Sequence, residues 1–133
     1  MQYQSYTCII KSGLLKEFPR FPSDQQVAIA EFKFTFEQHG LGDFSKYKGK
    51  ITPSWKTLDE NSDKYNYAFS NNLWHYHLGL PKYNKSPFGD YYTSDWVLHF
   101  QWKIGSNKSY LVDVYNHYNS SKEFYLPSEN YLK

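Results

Sequence analysis

The sequence predicts an α+β fold, an N-terminal strand and helices packed on an antiparallel sheet, and three observations carry that prediction. A helical pattern with signals at both ends occupies residues 23–40, three strand-like segments crowd the second half, and rings make up 21% of the residues. Helices gathered early and strands late favour segregated layers over alternating β–α units. So much ring surface offsets the entropy of ordering, so the chain folds. At 133 residues it has the size of one domain, residues 1–133, and such a domain hides roughly two thirds of its unfolded surface.

Each element follows in order. Gln2 to Lys11 is rich in aromatic and β-branched residues and stops at Ser12-Gly13, which reads as a strand and a turn. Phe18-Pro-Arg-Phe-Pro22 is a loop, because each proline pushes its predecessor out of the helical region. Ser23 is placed to cap a helix, Asp24 sits where the dipole favours negative charge, and Gly40 follows the last turn. Val27, Ala30, Phe34 and His39, among Ile29, Phe32 and Phe36, form its broad apolar face. Residues 40–53 read as a Lys-rich, Gly-punctuated loop. A short helix follows from about Asn61 to Ser70, ahead of Asn71-Asn72. Leu73–Leu80, Ser94–Lys103 and Lys108–Asn116 read as strands, the last two joined by a hairpin turn at Ile104-Gly-Ser-Asn107.

Composition excludes several classes of function. Fourteen of the fifteen cations are Lys and Arg20 is the one Arg, so no site with several bidentate phosphate clamps can be built. Cys8 stands alone, which forbids an internal disulfide and a thiolate zinc site, and its neighbours make it a buried strand thiol. No apolar run approaches the roughly 20 residues of a membrane span. The opening residues lack the zones of a signal peptide, so the expected location is cytoplasmic, with no membrane partner. Glycine-rich phosphate loops, Gly-x-Ser-x-Gly elbows and Cys-x-x-Cys pairs are absent, and no cofactor is expected.

Alternation along the strands points to chemistry. Neighbouring strand residues face opposite sides. His75 and His77 therefore share one face and Trp74, Tyr76 and Leu78 the other, while Trp96, Leu98, Phe100 and Trp102 form a core stripe opposite His99. In the last strand Val112 and Val114 are expected to look inward, with Leu111, Asp113, Tyr115 and His117 on the other side. If the three strands are neighbours, one polar sheet face presents His75, His77, His99 and Asp113, with His117 at its end. Histidine exchanges protons near neutral pH. A pair can take the proton of a ribose 2′-hydroxyl and protonate the leaving 5′-oxygen while a Lys steadies the phosphate. The same residues match a two-His-one-carboxylate metal set, and each His alone is also an ordinary structural residue.

Two loops carry clustered cations. Lys46, Lys48, Lys50 and Lys56 are interleaved with Tyr47 and Trp55, with no acid among them. Lys82 and Lys85 flank Tyr83 in a second, shorter basic loop. Lysine beside a ring suits RNA, where the cation meets phosphate and the ring stacks an unpaired base, although a solvated Lys loop has the same composition.

Leu73-Trp-His-Tyr-His-Leu-Gly-Leu-Pro81, Asp95-Trp-Val-Leu-His-Phe100, Asp113-Val-Tyr-Asn-His117 and Leu126-Pro-Ser-Glu-Asn-Tyr131 resemble toxins of bacterial type II toxin–antitoxin systems. The broad family is the RelE/ParE superfamily, and the His-x-His strand is most similar to its YafO-type branch. Gly49-Lys-Ile-Thr-Pro-Ser-Trp55 resembles the loop between that family's early helices. The resemblance implies a helical hairpin on an antiparallel sheet, a cognate antitoxin, and cleavage of mRNA at the ribosome. The same fold also hosts gyrase poisons, so fold alone does not choose the target. With Arg20 the one Arg, cleavage has to run on His and Lys: His75, His77, His99, His117 and Asp113 as catalytic residues, and Lys46, Lys48, Lys50, Trp55, Lys82, Tyr83 and Lys85 as the RNA contacts. The alternatives are a non-catalytic toxin that binds a protein such as gyrase, and a metal-dependent enzyme using the His cluster.

Overall fold

A computed structural model of the chain describes residues 5–80, 84–85, 92–93, 96–116 and 124–133. Strand β1 (Thr7–Ile10) leads into a short helix α1 (Ser12–Glu17) and the long helix α2 (Ser23–His39). After a 3₁₀ turn at Phe44–Lys46 come strand β2 (Ile51–Pro53), helix α3 (Asp63–Ser70) and strand β3 (Leu73–His77). Two short strands, β4 (Asn84–Lys85) and β5 (Tyr92–Thr93), pair with each other, and β6 (Trp96–Gln101) and β7 (Lys108–Asn116) complete the sheet. The five-stranded sheet runs β1-β7-β6-β3-β2. The fold is α+β, as expected, but the sheet is mixed. β1 lies parallel to β7 at one edge, whereas the other junctions are antiparallel.

The long helix forms where its terminal signals put it, with one difference. Pro22 takes the capping position and Ser23 is the first helical residue, while Gln26 Nε2 donates to the carbonyls of Phe18 and Phe21. The helix stops at Gly40, whose φ of 63° is cheap only without a Cβ, and a Cβ there would strike the ring of Tyr6 at 2.3 Å. Ile29, Phe32 and Phe36 are buried against the sheet, and the Phe32 ring centroid lies 5.0 Å from that of Phe100 and 5.1 Å from that of Tyr76. Val27 and Phe34 are exposed, so the apolar face predicted for this helix splits in two. Ser62 caps α3 by accepting from the Tyr65 N–H at 3.1 Å, and Asn72, left-handed at φ 52°, ends the helix beyond Asn71.

The helices do not form the hairpin that the resemblance implies. Helix α2 covers the face that carries Trp74, Tyr76, Leu98 and Phe100. Ala68 of α3 packs with Leu73 and Val112 on the opposite face. A register shift at His99/Phe100 explains why β7 departs from simple alternation: His99 pairs with Asp113 but Phe100 pairs with Leu111. This bulge turns Leu111, together with Val114, into the main core and sends Val112 to the other face. The prediction for Leu111 and Val112 is corrected accordingly. Helix α1 and strand β2 stand where local sequence signals favour a turn and a loop. Gly13 and Pro53 are poor formers of helix and strand interior, and packing against β7 and pairing with β3 overrule them.

Candidate functional site

The sheet register assembles the predicted polar residues. Thr52, His75, His99 and Asp113 are successive partners across β2, β3, β6 and β7, and His77 lies two residues beyond His75 on the same face. Ring centroids of His75 lie 5.8 Å from His77 and 6.1 Å from His99. The row is not the exposed surface expected from the sequence. His75, His77, His99 and Asp113 are between 0 and 6% exposed. The physical reason lies in the C-terminal segment, which folds back over this face. The Phe124 ring sits 5.3 Å from His75, and Tyr125 sits 5.4 Å from His99 and stacks on Tyr115 at 4.3 Å.

Hydrogen bonds fix the ends of the row. Ser54, 1% exposed at the end of β2, places its Oγ 3.0 Å from His75 Nδ1. A hydroxyl there holds the orientation of the imidazole. Asp113 accepts from the Val114 N–H at 2.9 Å and from the hydroxyl of Tyr125. Burial pushes the Asp113 carboxyl up to about 6, against the opposing pull of the Tyr125 bond. Tyr125 itself is raised well above the phenol range by burial and by its carboxylate partner. The segment is tied down elsewhere by Tyr67 Oη donating to the Pro127 carbonyl at 2.6 Å, Tyr131 Oη to Glu17 Oε1 at 2.5 Å and Lys11 Nζ to the Leu132 carbonyl at 2.6 Å.

No protein-family model, curated protein or solved structure matches this chain. The geometry therefore stands on its own chemistry. Among the described residues no group of three His, Cys, Asp or Glu side chains is arranged to hold a metal ion. What the row offers is two or more imidazoles within one substituent's reach of each other, a carboxyl that titrates near neutrality, and a hydroxyl that orients one ring. That set suits proton transfer.

The first basic loop forms an open groove of about 830 Å³ along the edge of β2, lined by Phe44, Lys48, Lys50, Thr52, Lys56 and Trp74 among others. Lys46 stands on the same 3₁₀ turn, outside that lining. Trp55 is partly buried. Its ring lies edge-on between Phe69 at 5.3 Å and Trp74 at 5.6 Å, where it joins the two apolar clusters. Lys82, Tyr83 and His117 lie outside the described residues, as does the side chain of Lys85. Cys8 is a buried strand thiol, pushed up to about 11 by desolvation, and takes no part in the site. No helix of the described residues is long and apolar enough to cross a membrane.

Sequence reasoning missed Ser54, Phe124, Tyr125 and Phe44. Ser54 was hidden because Pro53 masks the strand that places it. Phe44 carried a signal, a ring directly before the lysine run, that Tyr47 and Trp55 drew attention from. Tyr47 instead spends its hydroxyl on the Gly40 carbonyl at 2.6 Å. Nothing in the aperiodic segment 124–128 signals that it covers the histidines.

Proposed function

We propose that the chain is a RelE/ParE-type toxin of a type II toxin–antitoxin system, an endoribonuclease that cleaves mRNA at the ribosome in the cytoplasm and is held in check by a cognate antitoxin. The observation that carries the reading is the alignment of His75, His99 and Asp113 in one row, next to His77 and one strand away from a groove lined by lysines. The strand motifs that resemble the superfamily add to it.

In this mechanism one imidazole takes the proton of a ribose 2′-hydroxyl. The 2′-oxygen bonds to the adjacent phosphorus, the bond from phosphorus to the 5′-oxygen breaks, and a second imidazole protonates that oxygen. The products are a 2′,3′-cyclic phosphate and a 5′-hydroxyl end. His75, oriented by Ser54, fits the first role, and His77 or His99 the second. Phe124 and Tyr125 cover the row, so a phosphate reaches His75 when these two rings move aside.

Burial of the row favours a second reading, a toxin without catalysis that binds a protein target such as gyrase, in which the histidines are structural. Induction of the chain in growing bacteria separates the two. The nuclease reading expects growth arrest with rapid mRNA loss, relieved by the neighbouring antitoxin gene. Arrest with intact mRNA and altered DNA supercoiling supports the second reading, and normal growth at high protein levels overturns both.

A further inference from the structure

We infer that the groove beside β2 seats a single RNA strand, with one unstacked base on Phe44 and its flanking phosphates on Lys48, Lys50 and Lys56; this rests on the RNA reading above and names where the substrate lies. Phe44 is 42% exposed for a large apolar ring, and the Trp74 ring supports it edge-on at 6.2 Å and 81°. A ring packed edge-on against a neighbour and open to solvent suits base stacking, and stacking accepts any base because each has a π-face. Among the described residues three lysines and no acid line the groove, and its volume of about 830 Å³ is ample for a nucleotide.

Two further features choose between ligands. Thr52 lines the groove. Thr52 is also the register partner of His75, so a strand in the groove runs alongside the histidine row. The edge itself does not suit an added peptide strand. Lys50 and Ser54 turn their backbone groups to β3, which points those of Ile51 and Pro53 outward, and Pro53 has no N–H to offer. A ligand recognised through charge and stacking fits better than one recognised through a backbone ladder. Single strands expose the base that a duplex hides, so the seat discriminates between them.

The test is fluorescence anisotropy of a labelled short oligouridine, and of a duplex RNA of the same length, titrated with the full chain carrying His75→Gln to prevent turnover. The expected result is tighter binding of the single strand. Phe44→Ala should weaken it by roughly 5- to 100-fold, as loss of one stacked base does. Changing Lys48, Lys50 and Lys56 together to Gln should flatten the salt dependence by about two units of slope. Lys103→Gln with Lys108→Gln, at the other end of the sheet, should change neither. Equal or tighter duplex binding, unchanged binding in both groove variants, or displacement of RNA by an acidic peptide with no effect of Phe44→Ala would overturn the assignment. Lys48 and Lys56 are exposed and Lys50 is half-buried, so a variant changed at Lys48 and Lys56 alone reports on binding even if Phe44→Ala fails to fold. Failure here is separable from failure of the nuclease reading. Binding without cleavage by the unaltered chain sinks the nuclease and leaves the seat, whereas cleavage with groove variants that bind normally does the reverse.

Discussion

The histidine row and the lysine groove lie on either side of one short strand, β2, and differ chiefly in their access to water. The row is sealed under Phe124 and Tyr125 and the groove is open. A buried polar group must be satisfied by its neighbours, whereas an exposed one is satisfied by water. On the reading proposed above, the row therefore joins chemistry to stability, and the groove separates affinity from stability. Substitutions on the two sides should differ in kind as well as in size.

The largest effect is expected in the row. On the reading proposed above, His75→Ala or His77→Ala should slow RNA cleavage by roughly a hundred- to ten-thousand-fold, the worth of a general acid or base. Because both residues are buried, each should also cost about 1–3 kcal/mol of stability, which denaturant melts of the purified variants will measure. Melting midpoints equal to the parent's would mean that the row is more exposed in solution than its packing implies. The all-apolar face provides a calibration: Phe100→Ala, beneath Phe32, should cost about 3–5 kcal/mol.

The next effect is on pH dependence. Asp113 has a folded-state pKa near 6 against an ordinary 3.8, so the folded state holds the proton more tightly than the unfolded one. Its contribution to stability is complete below about pH 4 and is lost as pH rises through about 6. A shift of about two units corresponds to about 3 kcal/mol. Melting from pH 4 to pH 7 should show that decline, and Asp113→Asn should remove it. Tyr125→Phe takes away the bond that opposes the upward shift, so the decline should start at the same pH and extend to higher pH. A profile unchanged by Asp113→Asn would assign the titration to another group. The smallest stability effect belongs to the groove, where Lys48→Gln or Lys56→Gln should stay within about 0.5 kcal/mol of the parent.

How much could be read without coordinates differs between the same two regions. The cross-strand set His75, His99 and Asp113 was legible because β-alternation is local and Asp113 precedes the bulge's effect on the pairing. Exposure was not legible, because what covers the row arrives from residues 124–127, with no periodic signal of their own. The lysine loop announced its charge but not which ring stands most open: Trp55 is partly buried against Phe69 and Trp74, whereas Phe44 is exposed. The long helix α2 was legible to its last residue through Gly40, but its inward face was not, since Val27 and Phe34 are as apolar as Ile29 and Phe32. The antiparallel sheet was expected from hairpins in the second half. The parallel β1 is set by contacts a hundred residues apart, which local patterns do not carry.

The most direct measurement maps the ends of an mRNA in a translating extract supplied with the chain, with the His75→Gln chain, or with the chain altered at Lys48, Lys50 and Lys56. New 2′,3′-cyclic phosphate and 5′-hydroxyl ends are expected with the unaltered chain, none with His75→Gln, and restored cleavage by the lysine variant only when protein or RNA is raised in concentration. Intact mRNA with the unaltered chain, or equal cleavage by His75→Gln, would contradict the nuclease reading.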